Sequence, residues 1–229
     1  GTSAGDINGD GFDDIAVGGP QTDRYYGAAH VVFGRATDEA FPISVNSLNG
    51  TNGFSMVPQT LMGSVFAGSS IDRAGDVNGD GLDDLLVGSF YTGAFVVFGR
   101  TDAFPAELMI DDLDGTDGFR LGNSRSTDVA GIGDFNGDGI DDIAVGNRDD
   151  SPDGRNLAGS VYVVFGTRDG FEAELDLQTL DGTRGFRIDG VVSGDGIGHA
   201  ISSAGDINDD GRADLLIGKF NQISGSSAV

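Results

Sequence analysis

A fourfold internal repeat constrains this chain more than any other feature. The segment Gly5-Asp6-Ile7-Asn8-Gly9-Asp10-Gly11-Phe12-Asp13-Asp14-Ile15-Ala16-Val17-Gly18 recurs from Gly75, Gly133 and Gly205. Two shorter marks travel with it. Val-Val-Phe-Gly starts at Val31, Val96 and Val163, and Leu-Asx-Gly-Thr-x-Gly-Phe starts at Leu48, Leu113 and Leu180. Self-similarity at such a period means units that cannot bury their apolar faces alone and must stack on one another.

The spacings divide each unit into fixed and variable parts. The Asp loops begin at Asp6, Asp76, Asp134 and Asp206, at periods of 70, 58 and 72 residues. From the first Val of Val-Val-Phe-Gly to the Phe of Gly-Phe is 23 residues each time. From the last loop Asp to Val-Val-Phe-Gly is 17, 12 or 21, and from the Gly-Phe aromatic to the next loop is 22, 15 or 20.

Apolar runs are three to five residues long, as in Ile15-Ala16-Val17, Leu85-Leu86-Val87 and Val161-Tyr162-Val163-Val164-Phe165. They sit between Gly, Asp and Asn clusters, which reads as an all-β chain. One strand runs into each Asp loop, as at 64–76. A second leaves it, as at 84–88. Val-Val-Phe is the third, and the fourth lies before or at Gly-Phe. Four antiparallel strands per unit of about 60 residues is the pattern of a β-propeller blade. The repeats are approximately 1–62, 63–121, 122–189 and an incomplete 190–229, about 3.5 blades in one domain. Gly225-Ser226-Ser227-Ala228-Val229 corresponds to Gly159-Ser160-Val161-Tyr162-Val163, so the last unit stops as its third strand begins. The expectation is a fragment of a larger propeller or a four-blade form lacking its last strand. In such a meander the fixed connections share one face and the variable ones the other. Variable loops on a rigid scaffold are where binding usually resides.

The Asp loops carry the clearest chemistry. Alternate positions 1, 3 and 5 present short oxygen side chains, and Gly at 6 allows the sharp turn. Position 7 offers a backbone carbonyl, and an Asp at 9 closes the set. Such all-oxygen donors suit Ca²⁺, a hard cation taking 6–8 oxygens. The candidate ligands are Asp6, Asn8, Asp10, Phe12 and Asp14; Asp76, Asn78, Asp80, Leu82 and Asp84; Asp134, Asn136, Asp138, Ile140 and Asp142; and Asp206, Asn208, Asp210, Arg212 and Asp214. The order follows the EF-hand logic, but the acid closes at 9 rather than 12 and a strand follows, not a helix. Loop four departs at two non-ligand places, with Asp209 for Gly and Ala213 for Asp. Four Ca²⁺ sites are expected, acting as scaffold.

Composition narrows the partners. The formal charge is −24, from 37 acidic and 13 basic residues. A nucleic-acid partner, which needs a basic surface, is excluded on that ground, as is a bare acidic membrane. Such self-repulsion favours bound cations. No apolar run approaches the ~18 residues of a membrane-spanning helix. Cys is absent, so disulfides hold nothing here.

The pattern Phe-Gly…Asp-x-Asn-x-Asp-Gly-x-x-Asp resembles FG-GAP repeats, as in the integrin α-subunit propeller and many bacterial surface proteins. The Gly-Ala-Pro element is degenerate: Gly18-Gly19-Pro20, Gly88-Ser89-Phe90, Gly146-Asn147-Arg148 and Gly218-Lys219-Phe220. The resemblance implies a propeller, of seven blades in integrins, with calcium in the loops between the first and second strands. It also implies extracellular adhesion or ligand binding on the opposite face. Lack of Cys and the recurrent motifs look bacterial.

Catalytic apparatus is not visible. His30 and His199 have no counterparts in other repeats, and no Ser/His/Asp arrangement is recognisable. Acid pairs such as Asp13-Asp14 and Asp141-Asp142 lie inside the loops. Asn49-Gly50-Thr51 fits a glycosylation sequon, but Asp114 and Asp181 hold its place elsewhere, so a turn is expected. Tyr25-Tyr26, Tyr91 and the charged stretch from Arg148 to Arg155 are candidate contacts for a protein or glycan ligand. The expected role is a non-catalytic, extracellular binding module. The alternatives are a subunit whose blades pair between chains through an open edge, or the propeller of a larger secreted polysaccharide-acting enzyme.

Overall fold

The computed structural model describes residues 1–19, 27–36, 44–58, 67–126 and 128–220. The expected 64–66 of the second repeat, the pair Tyr25-Tyr26 and the stretch 225–229 lie outside them. Each Asp loop joins two antiparallel strands, and the meander continues outward from there. The first sheet runs β1 (Thr2–Gly5), β2 (Asp14–Gly19), β3 (Ala28–Val32) and β4 (Gly53–Val57). The second runs β5 (Ala67–Gly75), β6 (Asp84–Ser89), β7 (Gly93–Val97), then β9 (Gly118–Gly122). The third runs β10 (Asp128–Gly133), β11 (Asp142–Asn147), β12 (Ser160–Val164), then β14 (Gly185–Asp189). The fourth contains β15 (Ile197–Gly205) and β16 (Asp214–Lys219). These are blades of a partial, unclosed β-propeller. The motifs set the same register in three blades: Val31 faces Phe54, Val96 faces Phe119, and Val163 faces Phe186.

One detail exceeds the four-stranded expectation. The connection between the third and fourth strands leaves its own blade. In the second unit it forms β8 (Glu107–Met109), which pairs in parallel with β4 of the first blade. In the third unit it forms β13 (Glu174–Asp176), parallel to β9 of the second blade. Among the described residues, two of the sheets therefore have five strands. A fifth strand covers an edge whose N–H and C=O groups would otherwise be unpaired. The constant 23-residue spacing is the length needed to reach the neighbour and return.

In the second and third blades, alternation along the strands is between two buried faces, because each is covered on both sides. Leu85 and Val87 of β6 join Ala16, Val31 and Phe54 of the first blade in one core. Leu86, between them, joins Ile143, Val145 and Tyr162 of the third. Ala144 and Val163 of the third blade face Ile201, Leu215 and Ile217 of the fourth. This two-sided burial explains why the strands read as continuous apolar runs. At the ends of the array the matching positions are bare: Ile15 is 57% exposed and Leu216 63%, whereas Leu85 and Leu86 are fully buried.

Aromatic rings lock successive blades. Phe104, on the connection leading to β8, stacks on Phe54 of the first blade at 4.3 Å and touches Phe33 at 5.7 Å. Phe171 repeats this on Phe119 of the second blade at 4.1 Å. The glycines of the first two Leu-Asx-Gly-Thr turns, Gly50 and Gly115, make room for this approach. Gly50 has φ +87, and a Cβ there would strike the Phe104 carbonyl.

Candidate functional site

All four Asp loops are folded by their own side chains. Asp6 accepts hydrogen bonds from the N–H groups of Asp10 (3.0 Å) and Gly11 (2.8 Å). Asp76, Asp134 and Asp206 accept the same pairs in their loops. Asn8, Asn78, Asn136 and Asn208 each accept from the N–H of position 5. Asp10, Asp80, Asp138 and Asp210 accept from the N–H of Phe12, Leu82, Ile140 and Arg212. Loop four keeps this geometry despite Asp209, which adopts φ +60 where Gly9, Gly79 and Gly137 have positive φ. Asp tolerates the left-handed region because its short side chain bonds locally.

The closing Asp is the anchor of each loop. Asp84 is fully buried and accepts from the N–H of Val77 (2.9 Å) and of Gly99 (2.9 Å). Asp14 does the same with Ile7 and Gly34, and Asp142 with Phe135, Asn136 and Gly166. Asp214 accepts from Ile207. Gly34, Gly99 and Gly166 are the glycines of Val-Val-Phe-Gly, so this glycine is part of the loop's support. A Cβ at Gly99 would strike the Asp83 carbonyl.

Burial dominates the electrostatics of Asp84, Asp14 and Asp142. It pushes Asp84 up to about 8, partly offset by its two backbone hydrogen bonds, with Asp80 and Asp76 adding repulsion. Asp14 and Asp142 are pushed up to about 6 for the same reason. Among the described residues no three acidic or histidine side chains converge tightly enough to form a preassembled metal cluster. The donor set nonetheless fits a hard cation. It holds oxygen ligands only, most of its carboxylate oxygens accept a single N–H and keep a lone pair, and the buried carboxyls Asp14, Asp84 and Asp142 favour a cation beside them. Calcium at these loops would be held by positions 1, 3, 5 and 9 and the carbonyl of position 7, and would supply charge neutralisation.

The residue before the closing Asp, which the ligand pattern leaves without a role, reaches the neighbouring blade. Asp83 accepts from the N–H of Asp6 at 2.8 Å, and Asp141 from the N–H of Asp76 at 2.9 Å. The only hint in the sequence is the doubled Asp in three of four loops.

On the other face the variable connections converge. The β6–β7 turn, the β9–β10 link and the β11–β12 loop border an open crevice of 450 Å³ between the second and third blades. Tyr91, Arg125, Asn123 and Asp149 are among its lining residues. Tyr91 is 51% exposed. The Arg125 guanidinium lies 5.7 Å from its ring centroid, and Phe90 meets Tyr91 edge-on at 5.0 Å. The lining residue Asp150 is held from within: buried Tyr162 donates to it at 2.8 Å and accepts from the Gln178 side chain at 2.6 Å.

Parts of this repeated sequence are matched among known proteins. Residues 1–32 and 127–164 match the FG-GAP repeat. Those two segments are FG-GAP-like. Over its whole length it is 29% identical to integrin alpha pat-2 of Caenorhabditis elegans, covering 18% of that protein. It is 29% identical over 95% of its length to integrin alpha-PS2 of Drosophila melanogaster, covering 15%. Over 68% of its length it is 28% identical to a phosphatidylinositol-glycan-specific phospholipase D of Dictyostelium discoideum, covering 18%. The chain thus spans less than a fifth of the length of these relatives.

The remaining candidate residues have structural partners. Asn49 accepts from the N–H and hydroxyl of Thr51, as Asp114 does from Thr116, so the sequon is a turn element here. His30 meets the Ser55 hydroxyl at 2.9 Å, and His199 lies 3.0 Å from the Arg148 guanidinium and against Phe220. Among the described residues no helix is long and apolar enough to cross a membrane.

Proposed function

We propose that this chain is a non-catalytic segment of a calcium-stabilised FG-GAP propeller. It works outside the cell and binds a protein or glycan ligand on the face opposite its Asp loops. The observation that carries this reading is the crevice between the second and third blades. It gathers three connections of variable length, an exposed aromatic ring with a cation beside it, and several polar side chains. Pockets with a few convergent polar groups on a fixed scaffold are the usual form of a recognition site. Ca²⁺ in the four loops is scaffold, suited to the calcium levels at which weak extracellular sites fill. Similarity to integrin α chains supports the reading, and the phospholipase D relative is consistent with such a propeller accompanying an enzymatic domain.

The test is binding to a printed glycan array and to immobilised extracellular-matrix proteins in calcium. Tyr91→Ala and Arg125→Ala should weaken the strongest hit at least tenfold while leaving the melting temperature unchanged. Binding that survives both substitutions refutes the crevice.

A second reading has its own observation. Ile15, Val17 and Leu216 are exposed at the array ends, where equivalent positions inside the array are buried against a blade. Pairing of blades between chains would cover them. Sedimentation should then show a calcium-dependent oligomer, which Ile15→Lys abolishes; a monomer at all concentrations removes this reading.

A further inference from the structure

We infer that the Asp preceding the closing ligand is a positioning residue that couples calcium binding between neighbouring loops, and that the coupling is broken between loops three and four. The inference rests on the calcium reading above and goes beyond it. Asp83 belongs to the second blade and adjoins the ligand Asp84. Its carboxylate holds the N–H of Asp6, the first ligand residue of loop one. Arg73 fixes that carboxylate from the other side, with Nε at 2.7 Å. Asp141 adjoins Asp142 and holds the N–H of Asp76, the first ligand residue of loop two. The backbone answers in return, with the Asp141 N–H donating to the Asp76 carbonyl at 3.2 Å.

The glycine before each first ligand makes the approach available. Gly5 and Gly75 have φ +67 and +78, and a Cβ on either would strike the Asp83 or Asp141 carboxylate. Ordering one loop therefore orders the anchor of the next. Calcium that fixes Asp142 fixes Asp141, which presents Asp76; calcium that fixes Asp84 fixes Asp83, which presents Asp6. Linkage makes the effect reciprocal.

Between loops three and four the backbone bond persists, Ala213 N–H to Asp134 carbonyl at 3.0 Å, but the side chain is missing. The Ala213 Cβ sits 3.3 Å from where a Cβ of Gly133 would stand, and Gly133 keeps φ +72. The socket is retained without its carboxylate. Loops one to three should bind as one cooperative group and loop four by itself.

Calorimetric calcium titration of the chain, with melting curves at zero and saturating calcium, tests this. The expected result is three coupled sites and one independent site. Asp141→Ala should weaken the coupled group on the order of tenfold. It should lower the melting temperature more in calcium than without it. Asp141→Asn, which keeps an acceptor for the Asp76 N–H, should restore most of the loss. Ala213→Asp should tighten loop three and bring loop four into the group, a gain that misfolding cannot mimic. Four independent sites in the parent chain, or Asp141→Ala lowering both melting temperatures equally at unchanged affinity, overturns the coupling and leaves the calcium reading standing. No calcium uptake at all overturns both.

Discussion

Asp84 offers the sharpest test of why these loops need a cation. Its carboxyl has no solvent exposure, and burial raises it from 3.8 to about 8 in the calcium-free fold. In the unfolded chain it titrates near its ordinary value. A folded-state value above the unfolded one means that the native chain holds the proton longer. Calcium-free stability from this group is therefore fully present below about pH 4, and is lost as pH rises towards 8. A shift of about four units corresponds to about 5 kcal/mol, most of it falling between pH 5 and 8. Domains are stable by only about 5–15 kcal/mol in total. The calcium-free chain should thus be near its limit at pH 8, where neither proton nor metal neutralises the site. Thermal melts of chelator-stripped protein at pH 5 and pH 8 measure this. The higher pH should lower the melting temperature by roughly 10 °C, given about 2–4 °C per kcal/mol for a chain of this size. Saturating calcium should remove most of the difference, because the ion replaces the proton. Asp84→Asn should flatten the pH slope and shrink the calcium increment, even though it destabilises at pH 5 by setting an amide donor against an N–H. A calcium-free melt that ignores pH, or a slope unchanged in Asp84→Asn, refutes the argument.

Two further substitutions probe the supports of the same architecture. Phe104→Ala removes the ring stacked on Phe54 and should cost about 3–5 kcal/mol by denaturant unfolding; Phe171→Ala, at a less buried ring, should cost less. Gly99→Ala sets a Cβ against the Asp83 carbonyl and disturbs the N–H that Asp84 accepts. It should destabilise by more than about 2 kcal/mol and weaken loop two in a calcium titration, whereas Gly81→Ala, with open space around its Cβ position but φ +92, should show only backbone strain.

How far the chain could be read from its residues depended on whether the relevant chemistry is local. The Asp loops are local: Asp6 to Asp14 fold around their own side chains, and the repeat displays them four times. The apolar runs were legible for the same reason. The supports of the loops were not, because their partners are distant. Asp84 meets Gly99 across two strands, and Asp141 meets Asp76 across two blades; spacing alone shows neither. The excursion that forms β8 and β13 was hidden for a related reason. A constant 23-residue interval looks like a hairpin of fixed length until the neighbouring blade is seen to receive it. Nor does any sequence pattern link Tyr91, Arg125 and Asp149, which only the stacking of blades two and three brings together.

These supports also explain why one face of each unit varies so much less than the other. The closing Asp ties the loop to the glycine after the third strand, and the residue beside it ties the loop to the preceding blade. A residue inserted between the third strand and Gly-Phe would shift the ring that stacks on the neighbour. In the second and third units this fixed interval is therefore pinned at one end by a buried carboxyl and further along by a stacked ring. The connections from the second to the third strand, and from the fourth to the next first, carry no such double constraint. Lengthening them costs only loop-closure entropy, which grows slowly with length. Changes in length and composition are absorbed there with little loss of stability, so the crevice between blades two and three is free to be shaped by what it binds. Inserting two residues within 101–103 should then cost far more stability than the same insertion within 152–154, and equal losses would show that the loop face is not what holds the blades in place.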